Sequence, residues 1–179
     1  THFEVSDLNE KYASRDGLLF SRPNFILDEF RLEVYPGGLK NTSFILPDDV
    51  VEIGDYAFAF NEHLTELNLS DQIREIGHYA FYASKNIELL DIPETIRVIE
   101  SNICGDSGVK VVIIRSLVEE DYNYNLSPVL AFQYLNNDIE NHPWLYVPDE
   151  SFNEYEDMVE DTVVIDFLRP ISEYQDSTD

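Results

Sequence analysis

The sequence contains only one cysteine, Cys104, so no internal disulfide can form within the 179 residues. The redox argument that often marks a secreted domain therefore gives no information here. No histidine or basic residue lies close to Cys104 in sequence to lower the pKa of its thiol. We expect Cys104 to be a small buried apolar group rather than a reactive thiol.

Basic residues are also scarce, with 11 Lys and Arg against 36 Asp and Glu and a formal net charge of −25. Proteins that bind a phosphate backbone neutralise it with Lys and Arg, so this composition argues against nucleic acid as a partner. An anionic membrane surface is disfavoured for the same reason. The hydrophobic content of 44% nevertheless exceeds that of disordered chains, so we expect a folded domain.

Long apolar stretches are missing as well. No segment approaches the roughly 18 apolar residues of a membrane span, and no charged stretch followed by an apolar one opens the chain as in a signal peptide. We therefore expect no membrane insertion by this segment. The sequence begins at Thr1 rather than methionine, and we expect an upstream segment that could carry a signal peptide or an anchor.

A short aliphatic pattern occurs three times between residues 43 and 114. The copies align on Leu46, Leu69 and Ile92, which are 23 residues apart without insertion. The other columns keep this spacing: Val50, Ile73 and Ile96; Ile53, Ile76 and Ile99; Ala57-Phe58 and Ala80-Phe81. A fixed period of roughly 20 to 29 residues with aliphatic residues at set positions is the signature of a leucine-rich-repeat solenoid.

The pattern within each copy predicts how a coil folds. Leu67 and Leu69 alternate with polar residues, which is typical of a strand with one buried face, and stacked coils would align such strands in a parallel sheet. Gly54 and Gly77 are expected where the backbone needs positive φ or close approach. The predicted fold class is α/β: a short solenoid of 23-residue repeats with a parallel sheet on one face and turns or brief helical segments on the other.

Both ends of a solenoid expose its core and need covering. An Asp16-Gly17 turn signal between short apolar stretches predicts a β-hairpin at the amino-terminal end. The third copy has lost its glycine and its Ala-Phe pair, and a fourth copy is stretched by insertions. The prediction is a single domain over 1–179, divided into an N-terminal hairpin cap at 1–42, repeats at 43–116, and a degenerate repeat with insertion and C-terminal cap at 117–179.

The segment Leu46-Pro47…Val50…Ile53-Gly54…Ala57-Phe58, with its second copy ending at Ala80-Phe81, resembles the BspA-type leucine-rich repeats. That family commonly has cysteine three residues after the phenylalanine, where this chain has Asn61 and Ser84, so a cysteine ladder is absent. The resemblance implies a bacterial cell-surface or secreted protein. It also implies a role in adhesion, in which the repeats bind other proteins or matrix and glycan components.

The outward strand positions are the predicted binding residues, because the sheet face is the usual binding surface of a solenoid. They are Glu66, Asn68, Leu89, Asp91, Val111 and Ile113. Leu89, Val111 and Ile113 would form an apolar contact patch unless the insertion at 117–142 folds over them. Tyr122 and Tyr124 of that insertion are further candidates for protein or sugar contact, with a simple capping loop as the alternative.

No residue pattern supports chemistry. Gly105-Asp106-Ser107-Gly108 matches the sequence around a trypsin-like serine nucleophile, but no segment resembles the histidine motif it requires, so we expect a tight turn. The four histidines are not spaced as metal ligands. We therefore predict no catalytic residue, metal or cofactor, and no feature indicates an oligomeric state.

Two functions remain open: a recognition module for a protein or glycan, or a structural spacer or accessory domain of a larger surface protein.

Overall fold

The computed structural model describes residues 2–23, 27–117, 142–160 and 163–175. These residues form mostly short strands: β1 (Tyr12–Arg15), β2 (Leu18–Ser21), β3 (Phe30–Val34), β4 (Ser43–Ile45), β5 (Val50–Ile53), β6 (Glu66–Asn68), β7 (Glu75–Ile76), β8 (Leu89–Ile92), β9 (Val98–Ile99), β10 (Val111–Ile114), β11 (Trp144–Val147) and β12 (Leu168–Pro170). In the described ranges the one α-helix is α1 (Phe152–Val159), accompanied by 3-10 turns at Asp149–Ser151, Val163–Phe167 and Ile171–Glu173.

Each coil of the repeat region contributes a strand to two opposite sides of the molecule. On the first side β4 pairs with β6, and β8, β10, β11 and β12 form a parallel sheet in that order. On the second side the order is β1-β2-β3-β5-β7-β9. The parallel sheet of the prediction is confirmed. The predicted turns are present on the opposite side, at 55–60, 78–83 and 101–106. The described residues are mostly strands with few helices, and short extended segments beside these turns pair with the neighbouring coils.

The strand register follows the sequence repeat. Glu52 lies opposite Glu75 on the second side, and Glu75 lies opposite Val98. Ser43 lies opposite Glu66 on the first side. Equivalent residues of successive coils therefore stack in columns, so one residue type repeated at the period produces a continuous row of like side chains.

The amino-terminal hairpin joins the second sheet. β1 and β2 pair antiparallel around Asp16 and Gly17, whose φ angles of 52° and 81° place the turn in the left-handed region. β2 then pairs antiparallel with β3, and β3 pairs parallel with β5. β3 therefore occupies the edge that β5 of the first coil would otherwise leave open, and the hairpin covers the remaining edge of β3.

The repeat columns form the core of the solenoid. Leu69 is partly buried against the core, and the other residues of the aliphatic columns and the two alanines are at most 1% exposed: Leu46 and Ile92; Val50, Ile73 and Ile96; Ile53, Ile76 and Ile99; Ala57 and Ala80. The rings of Tyr35, Phe58 and Phe81 stack along the axis with centroids 5.3 and 5.5 Å apart. Close packing of these columns explains why aliphatic and aromatic residues recur at fixed places.

The glycines of the repeat are required for close approach rather than for positive φ. A Cβ on Gly54 would lie 2.9 Å from the Leu32 carbonyl oxygen, and one on Gly77 would lie 2.8 Å from the Asp55 nitrogen. The left-handed conformation falls two residues later, at Tyr56 and Tyr79. Their φ angles are 57° and 55°, and Asn102 adopts 57° at the same place in the third coil.

A polar column occupies the position at which the family commonly has cysteine. Asn61 is fully buried, and its Oδ1 accepts hydrogen bonds from the backbone nitrogens of His63 at 2.9 Å and Leu64 at 2.8 Å. Ser84, also fully buried, donates its hydroxyl to the Phe58 carbonyl oxygen at 2.6 Å. These side chains therefore hold the loop that leads each coil back to the next strand of the first sheet.

The carboxyl-terminal part continues the first sheet. β11 pairs parallel with β10, and β12 pairs parallel with β11. Tyr155 of α1 is fully buried and donates its hydroxyl to the Ser116 carbonyl oxygen at 3.0 Å. Burial raises the pKa of this phenol well above its usual value. α1 therefore packs against the end of the repeat array through the ring of Tyr155 and the side chain of Val159.

Candidate recognition surface

The outer face of the first sheet carries the predicted binding residues. Glu66 and Asn68 of β6 are exposed, and Leu89 of β8 is 39% exposed. Asp91 and Val111 are half-buried. This face is therefore polar at β6 and becomes apolar toward β10, as the outward residues of the sequence predict.

Ile113 differs from the prediction, because only 1% of it is exposed. Alternation along β10 directs it away from the core, and it does not belong to the main hydrophobic core cluster although it is buried. A burial pattern cannot be read from the period of a strand alone, because other parts of the chain can cover an outward position. Ile113 is therefore no contact residue of an exposed patch. Tyr122, Tyr124 and most of the insertion at 117–142 lie outside the described residues.

An apolar row that includes Trp144 crosses three neighbouring strands. Leu89 lies opposite Val111, and Val111 lies opposite Trp144, which is 41% exposed. The Arg169 guanidinium carbon lies 4.7 Å from the centre of the Trp144 ring. The Phe167 ring meets the same indole edge-to-face at 5.7 Å. Sequence reasoning did not select Trp144, although its place directly before the buried Leu145-x-Val147 alternation could have indicated an outward position.

Asp91 is engaged in an ion pair rather than available as a free carboxylate. Its two oxygens accept hydrogen bonds from Arg115 Nε at 2.6 Å and Nη2 at 2.7 Å. This bidentate pair forms part of the wall of a cavity of about 150 Å³ that is also lined by Asn68. Arg115 also borders a larger open cavity of about 500 Å³, together with Arg74, which is paired with Glu29.

The outer face of the second sheet concentrates carboxylates around one cation. Arg31 of β3 lies 3.4 to 3.7 Å from four of them: Glu33, Glu52, Asp55 and Glu75. Burial and the charge of neighbouring Glu52 raise the pKa of Glu75, although Arg31 acts in the opposite direction. These four carboxylates therefore carry more negative charge than the Arg31 guanidinium neutralises.

The raised pKa of Glu75 predicts the effect of removing its charge. A carboxyl whose pKa is higher in the folded than in the unfolded protein destabilises the fold when ionised, and this effect disappears once the pH falls below both values. Glu75→Gln should therefore raise the melting temperature at pH 7. The gain should shrink as the pH falls through the range in which carboxyls protonate.

Thermal unfolding followed by circular dichroism between pH 7 and pH 4 measures this difference. Glu66→Gln is the matched control, because Glu66 is an exposed carboxylate on the opposite sheet for which no change is expected. A melting temperature for Glu75→Gln that is lower than that of the wild type at pH 7 would contradict the prediction.

The residues with possible chemistry have structural roles. Ser107 donates its hydroxyl to the Cys104 carbonyl oxygen at 2.6 Å and accepts the Val109 backbone N–H at 3.3 Å, which are the bonds of a tight turn. Burial raises the pKa of the Cys104 thiol to about 12, so the thiol stays protonated at neutral pH. In the described ranges no three His, Cys, Asp or Glu side chains are placed to share a metal ion. None of the helices described is long and apolar enough to cross a membrane.

These observations define a leucine-rich-repeat solenoid. Its coils are stacked with parallel strands, its core is built from repeated aliphatic columns, and one outer face is partly apolar. The family model described as BspA type leucine rich repeat region (6 copies) matches residues 33–127, just over half of the chain. The chain therefore belongs to the BspA-type leucine-rich-repeat family.

Two solved structures support the same fold. A leucine-rich repeat protein from Eubacterium ventriosum is 20% identical over 64% of this chain and 36% of its own, with a TM-score of 0.53. The pneumococcal vaccine antigen PcpA is 16% identical over 94% of this chain and 50% of its own, with a TM-score of 0.52. The chain thus spans half or less of the length of these structures. No curated protein matches the sequence significantly.

Proposed function

We propose that this chain is a non-enzymatic recognition module that binds a protein or a glycan through the outer face of its first sheet. The observation that carries the proposal is the row Leu89, Val111 and Trp144 on three paired strands, of which Leu89 and Trp144 are 39% and 41% exposed. Exposed apolar side chains that stand next to one another usually mark a contact site. Tryptophan in particular is enriched among the residues that dominate binding energy.

The polar neighbours of this row would supply orientation. Asn68 and the Asp91–Arg115 pair lie at one side of it and line a small cavity, and Glu66 stands on the adjacent strand. An apolar centre with a polar rim is the usual composition of a binding interface. We include Tyr122 and Tyr124 of the insertion in the proposed contact surface because rings and neighbouring amides suit protein or sugar ligands.

We further propose a cell-surface or secreted location and a role in adhesion, since the family resemblance implies both. The division into a hairpin cap at 1–42, repeats at 43–116 and a C-terminal cap at 117–179 belongs to the same proposal. The second candidate is a structural spacer or accessory domain of a larger surface protein. Both similar structures are longer than this chain, and this supports the spacer or accessory domain as the second candidate.

A protein and glycan array probed with labelled protein separates the two functions. Wild type is compared with Leu89→Asp plus Trp144→Asp, which places two charges in the centre of the apolar row. The expected result is binding to a defined ligand that the double variant loses by at least about tenfold, since desolvating a charge opposes contact.

Leu8→Asp is the matched control, because Leu8 is 91% exposed and lies outside both sheets. It should bind as the wild type does. Circular dichroism confirms that all variants are folded. Binding that survives both substitutions in the row, or no binding to any ligand on the array, would contradict recognition through this face and favour the spacer.

A further inference from the structure

A second exposed surface lies on the turns that follow the strands of the second sheet. Its rings are Tyr56, Phe60, Tyr79 and Tyr82, which we call the aromatic ladder. Tyr56 and Phe60 are 50% and 63% exposed, whereas Tyr79 and Tyr82 are half-buried. The Tyr56 and Tyr79 rings stack with centroids 5.0 Å apart and planes 10° from parallel. Tyr82 meets Tyr56, Tyr79 and Phe60 edge-to-face.

The ladder is held by the backbone of the repeat rather than by the rings alone. The nitrogens of Tyr56, Phe58 and Phe60 donate to the carbonyl oxygens of the next coil at 2.8 to 3.0 Å. Tyr56 and Tyr79 share the left-handed conformation, so their side chains leave equivalent turns in the same direction. The exposed rings are therefore presented on a rigid scaffold, and binding to them would require little ordering.

Carboxylates border the ladder. Asp55 immediately precedes Tyr56, and its side chain is 52% exposed. The row of Glu52 and Glu75 lies on the strands that lead into the same turns. The Arg31 guanidinium beside these glutamates is shared by four carboxylates, and the His78 ring lies 3.4 Å from Glu100. The surface next to the rings therefore has an excess of negative charge.

The molecule itself shows which group pairs with such rings. Arg15 lies over Phe20 and Phe30 at 4.4 and 4.5 Å from the ring centres, and Arg169 lies over Trp144. In the described part of the chain no guanidinium stacks on the rings of the ladder. A planar guanidinium is attracted to an aromatic face and pairs with carboxylates in two-pronged geometry, whereas an ammonium is more strongly hydrated.

We propose that the aromatic ladder and its acidic border form a docking surface for an arginine-bearing basic segment of a partner protein. The occupant follows from charge complementarity, because a chain of net charge −25 attracts basic segments and the border concentrates that charge beside exposed rings. Guanidinium groups stack on Tyr56 and Tyr79 and pair with Asp55 and the neighbouring glutamates. This surface is separate from the first sheet and does not depend on the recognition function proposed for that face.

Binding of a fluorescein-labelled peptide of alternating arginine and serine, followed by fluorescence anisotropy, tests the proposal. A lysine–serine peptide of equal length is the comparison ligand. The wild type should bind the arginine peptide more tightly than the lysine peptide. Tyr56→Asn plus Tyr79→Asn should weaken arginine-peptide binding by about tenfold and abolish the preference, since two ring contacts are lost. Asparagine is the conservative choice because Asn102 adopts the same left-handed conformation in the third coil.

Two controls locate the effect. Tyr12→Asn removes a 42% exposed ring from the edge strand β1 and should leave peptide binding unchanged. Glu52→Gln plus Glu75→Gln should weaken binding more than Glu66→Gln plus Glu88→Gln, which removes the same charge beside the first sheet. The proposal is overturned if the wild type does not bind the arginine peptide, if the two peptides bind equally, or if the tyrosine variant binds as the wild type does. Equal losses from both glutamate pairs would show attraction by bulk charge alone and would also overturn it.

Discussion

Phe58→Ala is expected to lower the free energy of unfolding by about 3–5 kcal/mol, because it removes a ring from the centre of the solenoid. Phe58 is fully buried and stacks between Tyr35 and Phe81, so the cavity would open in the middle of a continuous column. Neighbouring coils are joined by backbone hydrogen bonds and cannot close over the space independently. For a chain of this length the melting temperature should fall on the order of 10 °C.

Phe60→Ala is the matched control for this prediction. Phe60 lies in the same turn, but 63% of it is exposed and its ring makes one edge-to-face contact, with Tyr82. The expected loss is below about 1 kcal/mol. Chemical denaturation of both variants measures the difference. Similar losses for Phe58→Ala and Phe60→Ala would mean that the ring column is not the main source of the stability of the coil.

Asn61→Ala is expected to destabilise the protein by about 2–4 kcal/mol, because it leaves two backbone N–H groups without an acceptor. The Asn61 side-chain oxygen accepts the N–H groups of His63 and Leu64, and Leu64 is fully buried. Water cannot readily replace the lost acceptor at Leu64. The loop that leads from the turns to the first sheet should therefore loosen, and amide hydrogen exchange at His63 and Leu64 should accelerate.

Asn68→Ala is the matched control, because Asn68 is an exposed asparagine on the nearby strand β6 and its side chain donates to the exposed Glu66 carboxylate. Its loss should change the free energy of unfolding by less than about 0.5 kcal/mol. Denaturant titration and hydrogen exchange measure both variants. An Asn61→Ala protein as stable as Asn68→Ala would contradict the acceptor role of the Asn61 side chain.

The repeat columns could be predicted because they are local and periodic. Leu46, Val50 and Ile53 of the first copy recur at one spacing, and every residue of the column that begins with Ile53 is buried in the structure. The hairpin could be predicted from Asp16-Gly17, a turn signal between two short apolar stretches. In both cases a short segment carries its own structural preference, and the tertiary contacts agree with it.

Other features depend on contacts between coils and could not be predicted. The second sheet consists of strands as short as Glu75–Ile76, which carry no detectable alternation and exist through pairing with the neighbouring coils. Ile113 is outward by the alternation of β10 but buried, which the sequence of that strand does not encode. The aromatic ladder was missed for a similar reason, since Tyr56 and Tyr79 become neighbours only when coils stack.

The sequence by itself therefore determined the family, the stacking of coils and the residues of their core, because a repeated pattern of apolar side chains has few ways to be buried. The tertiary structure alone decided which outward residues are accessible and which engage one another. Asp91 is paired with Arg115, Ile113 is covered, and Leu89 and Trp144 remain partly exposed. Exposure and pairing are properties of neighbours distant in sequence, so the surface on which function depends appears only once the coils are assembled.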